Sequence, residues 1–125
     1  MLNVKEKSYE CTEQVCLFQW AQYQKGKYPE IELMYHIPNG GSRNKNEAAN
    51  LKRQGVKAGV PDICLPVARG KCHGLYIELK VGKNKTSDKQ DEWIHKLNEQ
   101  GYCAVVCYGW ETASRVILKY LEGGF

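Results

Sequence analysis

The chain reads as an α/β layer fold with a mixed β-sheet, and three features of the sequence predict it. Helical and strand patterns follow one another as helix–strand–helix–strand–strand–helix–strand–helix. Two of the strand segments are joined by Arg69-Gly70-Lys71-Cys72-His73-Gly74, as in a hairpin. The last strand segment, Tyr102 to Tyr108, is almost wholly apolar, the pattern of a strand buried on both faces.

Each element has its own local reason. Residues 9–25 form the first helix, with Val15, Phe18 and Gln22 on one side and Glu13, Leu17 and Trp20 on another. Gly26 and Pro29 stop it. Glu32 to Ile37 is a short strand, ended by the turn sequence Pro38-Asn39-Gly40-Gly41. Asn46 to Gln54 is helical and Gly55 terminates it. The hairpin strands are Pro61 to Leu65, where proline is tolerated at a first position, and Leu75 to Val81. A helix from Ser87 to about Gln100 precedes the apolar strand, and residues 111–121 make the closing helix.

The bulk properties set bounds on function. A chain of 125 residues fits a single domain, here 1–125 with a core over about 9–121, and 42% hydrophobic content supplies a real core. The net charge of +4 is compatible with a polyanionic partner without identifying one. The first ten residues are polar rather than signal-like, and no apolar run reaches the roughly 18–20 residues of a membrane span. A cytoplasmic location is expected. Six cysteines include no CxxC pair, and Cys72-His73 is the one adjacent pair of zinc-ligand types. The cysteines therefore read as reduced and structural.

Chemistry concentrates on the hairpin. In the strand 75–81, Leu75, Ile77, Leu79 and Val81 point one way, while Tyr76, Glu78 and Lys80 point the other. If the turn centres on Gly70-Lys71, residues whose numbers sum to about 141 are opposed, and Asp62 faces Glu78 or Leu79. Opposed carboxylates repel unless a cation lies between them. Two carboxylates a few Å apart suit Mg²⁺, which binds through one or two such groups plus waters and substrate phosphate. Lys80, on the Glu78 face, is placed to hold a phosphate oxygen or orient the attacking water. Together these are the parts for hydrolysing a phosphodiester.

These residues carry a family resemblance. Gly59-Val60-Pro61-Asp62 followed by Tyr76-Ile77-Glu78-Leu79-Lys80 resembles the PD-(D/E)XK nuclease signature, in the form found in the VRR-NUC family. Thr12-Glu13-Gln14, Ile37-Pro38-Asn39-Gly40, Ser87-x-x-Gln90 and the stretch from Gly101-Tyr102 to Tyr108-Gly109-Trp110 match the same family in order. The resemblance implies a restriction-endonuclease-like fold, a mixed sheet flanked by helices. It implies a metal, Mg²⁺ or Mn²⁺, on Asp62, Glu78 and the backbone carbonyl of Leu79, with Lys80 catalytic. Glu13 corresponds to the family's first-helix acid and Gln90 to its motif glutamine, so both join Asp62, Glu78 and Lys80 as candidate catalytic residues. Thr12, where a serine is expected, is the main departure and keeps a hydroxyl.

Two of these residues have rival explanations. Glu13 shares a face with Leu17 and Trp20, which calls for a polar partner such as metal-bound water; the plainer reading is a first-turn acid favoured by the helix dipole. Gln90, three residues after Ser87, completes a capping box whether or not it is catalytic. Arg43, Lys45, Lys52, Arg53 and Lys57 before the hairpin strand, and Lys83, Lys85 and Lys89 after it, favour phosphate contacts over simple solvation. Asn39, Arg43, Lys83 and Lys85 are the leading DNA-binding candidates. The implied activity is a metal-dependent DNA endonuclease, structure-selective and similar to Holliday junction resolvases, in a bacterial or phage-infected cell. Such resolvases act as symmetric dimers, so a homodimer on branched DNA is expected. A non-cleaving DNA-binding module, a nuclease of flaps or single-strand ends, and an assembly protein remain as alternatives.

Overall fold

A computed structural model describes residues 4–38 and 44–125, and the backbone alone for residues 4–9 and 11. Four strands form one sheet in the order β1-β2-β3-β4: Tyr35–His36, Ile63–Leu65, Leu75–Lys80 and Cys103–Tyr108. The first two pairings are antiparallel and the β3–β4 pairing is parallel, so the sheet is mixed as expected. The helices are α1 Val4–Gln24, α2 Lys45–Arg53, α3 Asp88–Glu99 and α4 Trp110–Leu121. No helix among the described residues is long and apolar enough to cross a membrane.

The period-2 alternation of β3 builds the core. Leu75, Ile77 and Leu79 are almost fully buried and cluster with Ile63 and Leu65 from β2, Leu17 and Ala21 from α1, and Ala113 and Ile117 from α4. Helices α1 and α4 pack together on this face of the sheet, and α3 packs against β4. The opposite face of β3 carries Tyr76, Glu78 and Lys80, and the last two are buried there as well. Burying each large aliphatic side chain is worth about 1.5–3 kcal/mol, enough to hold polar groups inside that would not choose to be there.

Three expectations are corrected. The stretch 32–37 is a strand only at Tyr35–His36; Pro29–Leu33 before it is a 3-10 turn. Pro29 supplies the fixed φ that starts such a turn, and the buried Ile31 pins it to the core. The first helix begins at Val4 rather than at residue 9. Strand β4 lies at the sheet edge, and Val105 and Val106 are half-buried while Tyr108 is exposed. One side chain covers part of its free edge. The Asn98 amide donates to the Ala104 carbonyl at 3.0 Å and accepts from the Ala104 N–H at 3.0 Å, pairing the edge as another strand would. Helix α2 buries none of its residues; Asn44 caps it by accepting from Glu47 N at 2.7 Å.

Candidate active site

The hairpin delivers the two carboxylates to one place. Ile63 pairs with Ile77, so the next position outward sets Asp62 beside Glu78. Asp62 is fixed through its main chain and its side chain. Its carbonyl accepts from Ile37 N at 2.6 Å, and His36 Nδ1 lies 2.9 Å from the same oxygen. Its carboxylate Oδ2 accepts from Leu79 N at 2.8 Å. Asp62 thus touches both residues the sequence offered as its neighbour. The preceding Gly59 is required here: its φ is +94°, and a Cβ would lie 2.8 Å from the Lys89 backbone. That close approach seats the Val60-Pro61-Asp62 entry against α3.

Glu78 is 2% exposed, and its surroundings are unequal. Oε2 accepts from Gln90 Nε2 at 3.3 Å and lies 3.6 Å from Lys80 Nζ. Oε1 is buried with no hydrogen-bond partner. Burial, reinforced by the negative charge of Asp62, pushes the Glu78 carboxyl up to about 9, and the Lys80 ammonium only partly offsets this. The site therefore holds a carboxyl whose ionised form is only partly compensated, by Lys80. Lys80 is itself buried, with a side chain 7% exposed.

Gln90 does two things at once. In the capping box its Oε1 accepts from Ser87 N at 2.8 Å, while Ser87 Oγ accepts from Gln90 N at 3.2 Å. With Oε1 so engaged, Nε2 is left to reach Glu78, so the helix cap orients the amide toward the carboxylate. Glu13 has a partner that neither sequence reading supplied. It lies well inside α1, which removes the first-turn explanation. Its Oε2 accepts from Trp110 N at 3.1 Å, capping α4, whose own N-cap Gly109 has no side chain to do so. Gly109 N in turn donates to the Lys80 carbonyl at 2.9 Å. Glu13 is thereby tied to the end of the strand bearing Lys80.

A divalent cation fits this donor set. Oε1 of Glu78 is an orphaned buried acceptor, and Asp62 keeps one oxygen not used by Leu79 N. The N–H and C=O of a strand residue leave it on the same side, so the Leu79 carbonyl faces the Asp62 strand too. Among the described residues no three His, Cys, Asp or Glu side chains cluster as metal ligands. Cys16, Cys64, Cys72, Cys103 and Cys107 are free thiols. Two carboxylates and a carbonyl leave the remaining positions to water and phosphate, as a hard cation prefers.

The structure places the other candidates unevenly. Lys83 and Lys85 are exposed on the loop that continues β3, and Lys89 is exposed on α3. Lys45, Lys52, Arg53 and Lys57 are exposed on α2 and the segment after it. Asn39 and Arg43, with Gly40 and Gly41, lie outside the described residues. Among the aromatic residues, Tyr35 is exposed, whereas Tyr28 and Trp110 pack against the core. Sequence reasoning missed Tyr108, whose hydroxyl donates to the Asn84 carbonyl at 2.8 Å within the Lys83–Lys85 loop. Its sequence signal was its place in the closing Tyr108-Gly109-Trp110 stretch, as an aromatic residue ending an apolar strand.

Comparison with known proteins agrees with this geometry. The profile of the VRR-NUC domain matches residues 5–111. A solved structure described as a VRR_NUC domain protein superposes with a TM-score of 0.79 at 38% identity, covering 92% of this chain and 89% of its own. No curated protein matches the sequence. The order of the motifs, their convergence on Asp62, Glu78 and Lys80, and these two matches carry one conclusion: the chain belongs to the VRR-NUC family of the PD-(D/E)XK nuclease superfamily.

Proposed function

We propose that the chain is a Mg²⁺- or Mn²⁺-dependent DNA endonuclease that selects branched substrates. The observation that carries the metal requirement is the orphaned, buried Oε1 of Glu78 beside the Asp62 carboxylate. Asp62 and Glu78, with the Leu79 carbonyl, would hold the cation, which when bound supplies a water of lowered pKa and neutralises charge on the phosphate. Lys80 donates from Nζ to a non-bridging phosphate oxygen and balances the negative charge that grows as water attacks phosphorus and the sugar oxygen leaves. Its burial keeps that ammonium in a low-dielectric setting, where the interaction is stronger than in water. Gln90 holds the Glu78 carboxylate in place, and Glu13 anchors the end of the strand bearing Lys80. Lys83 and Lys85, exposed beyond the strand end, grip flanking phosphates.

A resolvase-like action follows from the family resemblance and from symmetry. Cutting a four-way junction needs two incisions, and two copies about a two-fold axis supply them through one self-complementary patch. With Tyr28 and Trp110 packed inward, the exposed Val15, Tyr23, Leu33 and Tyr35 are the apolar supply for such a patch. Cleavage of linear duplex, flap and four-way DNA with Mg²⁺, Mn²⁺ and EDTA tests the reading, alongside light scattering with and without junction. Metal-dependent cutting of junctions by a dimer, abolished in Asp62→Ala, is expected. Cleavage in EDTA refutes the metal site, and cutting confined to flaps or single-strand ends refutes junction selectivity.

A further inference from the structure

The loop after the active-site strand is held in three places. It starts at Gly82, whose φ of +58° turns the chain out of the sheet, and Asn84 N donates back to the Val81 carbonyl at 3.2 Å. It ends where Thr86 Oγ1 donates to Asp91 and Ser87 enters its capping box. Its middle is held by Tyr108 Oη, which donates to the Asn84 carbonyl at 2.8 Å. Lys83 and Lys85 stand exposed on either side of that pinned residue. Tyr108 is also the β4 residue in register with Lys80. Consecutive residues therefore tie three parts of the site together: Tyr108 the basic loop, Gly109 the Lys80 carbonyl and Trp110 the Glu13 carboxylate.

We propose that Tyr108 is a positioning residue for substrate, presenting Lys83 and Lys85 at a fixed distance from Lys80 so that flanking and scissile phosphates are gripped together. This rests on the nuclease reading of the Asp62–Glu78–Lys80 site. The hydroxyl touches neither phosphate nor metal; it acts through the loop. An unpinned loop keeps its lysines and their charge but must be ordered at each binding event, which weakens binding without changing the chemical step. Losing the hydroxyl and losing a lysine then give different signatures. Removing Lys83 lowers the slope of log K against log salt by about 0.9, whereas removing the hydroxyl leaves the slope and lowers affinity uniformly.

Tyr108→Phe deletes the hydroxyl alone at an exposed ring, and a thermal melt confirms its folding. Two measurements are made on it. Tryptic cleavage after Lys83 and Lys85, without DNA, reads the loop itself and should accelerate. Steady-state cleavage of the wild type's best DNA substrate should show KM raised about 2- to 10-fold, the range expected for one net hydrogen bond, with kcat and the salt slope retained. Unchanged proteolysis overturns the latch. Faster proteolysis with unchanged KM, while cleavage still depends on Asp62, overturns the role in substrate binding and leaves the nuclease reading intact. Wild-type protein without Asp62-dependent cleavage overturns both.

Discussion

Replacing Glu78 by glutamine should destroy cleavage and stabilise the metal-free protein, by an amount that depends on pH. Glu78 is raised from 4.5 to about 9 by burial and by Asp62. A carboxyl raised in the folded state is harmless below its unfolded value, where both states carry the proton. Above pH 4.5 the unfolded chain releases the proton and the folded chain keeps it, so stability falls as pH rises and levels off near 9. Each pH unit in that window is worth at most about 1.4 kcal/mol. At pH 7.5, three units above 4.5, the ceiling is about 4 kcal/mol, and half of it would shift Tm by roughly 6–10 °C in a chain of this size.

Glutamine is isosteric with the protonated acid and does not titrate. Its amide oxygen can take over the contacts of Glu78 Oε2 with Gln90 and Lys80, and its NH₂ can face Asp62. Melting curves of both proteins in EDTA from pH 5 to 8.5 should therefore diverge, starting together and ending with the variant higher. Mg²⁺ should raise the wild-type Tm most at the alkaline end, because a bound cation stabilises the ionised carboxylate, and should leave Glu78→Gln unmoved. Parallel curves, or a variant less stable at every pH, would refute the reasoning and mean that the Lys80 ion pair already compensates an ionised Glu78.

Lys80→Ala should lower the cleavage rate by orders of magnitude with modest loss of DNA affinity, read as a fall in kcat at nearly constant Kd; normal cutting would reduce Lys80 to a structural lysine. Glu13→Ala removes the cap of α4 and should destabilise the fold by about 1 kcal/mol in urea titration, within the range measured for lost caps. A fall in rate at unchanged stability would instead place Glu13 at the reaction. Lys83→Ala and Lys85→Ala should each reduce the salt slope of DNA binding by about 0.9, checked by fluorescence anisotropy across a salt series.

The candidate trio was legible because its geometry is local. A hairpin turn sets register, and period-2 alternation sets which side chains share a face, so Asp62, Glu78 and Lys80 meet by rules that need nothing else from the chain. The residual ambiguity also had a local cause. Arg69 pairs with Cys72 near the tip, whereas Leu65 pairs with Leu75, so the first arm holds one residue more than the second between these pairs. That extra residue moves the register from sums of 141 to sums of 140 and decides for Glu78 as the cross-strand neighbour of Asp62. Gln90 was legible as a cap for the same local reason. The role of Glu13 was not: its partner Trp110 is 97 residues away, and only packing of α1 on α4 brings them together. The 3-10 turn at Pro29–Leu33 was hidden because what pins it is the burial of Ile31 in the core, a tertiary contact that no local pattern announces.

The same contrast explains why the site tolerates its own unfavourable electrostatics. A buried carboxyl, a second carboxylate and a buried ammonium on adjacent strands would drive those strands apart if local pairing alone held them. They are instead fixed at points far apart in the sequence. Ile37 N holds the Asp62 carbonyl, Gly109 N holds the Lys80 carbonyl, and Gln90 reaches Glu78 from a capped helix. Each anchor belongs to a different element, and the apolar residues of β3 pack on the opposite face against α1 and α4. The energy to hold the site thus comes from the core beneath it. On the polar face of that strand the described residues leave Glu78 Oε1 without a hydrogen-bond partner, the position the proposed cation would fill.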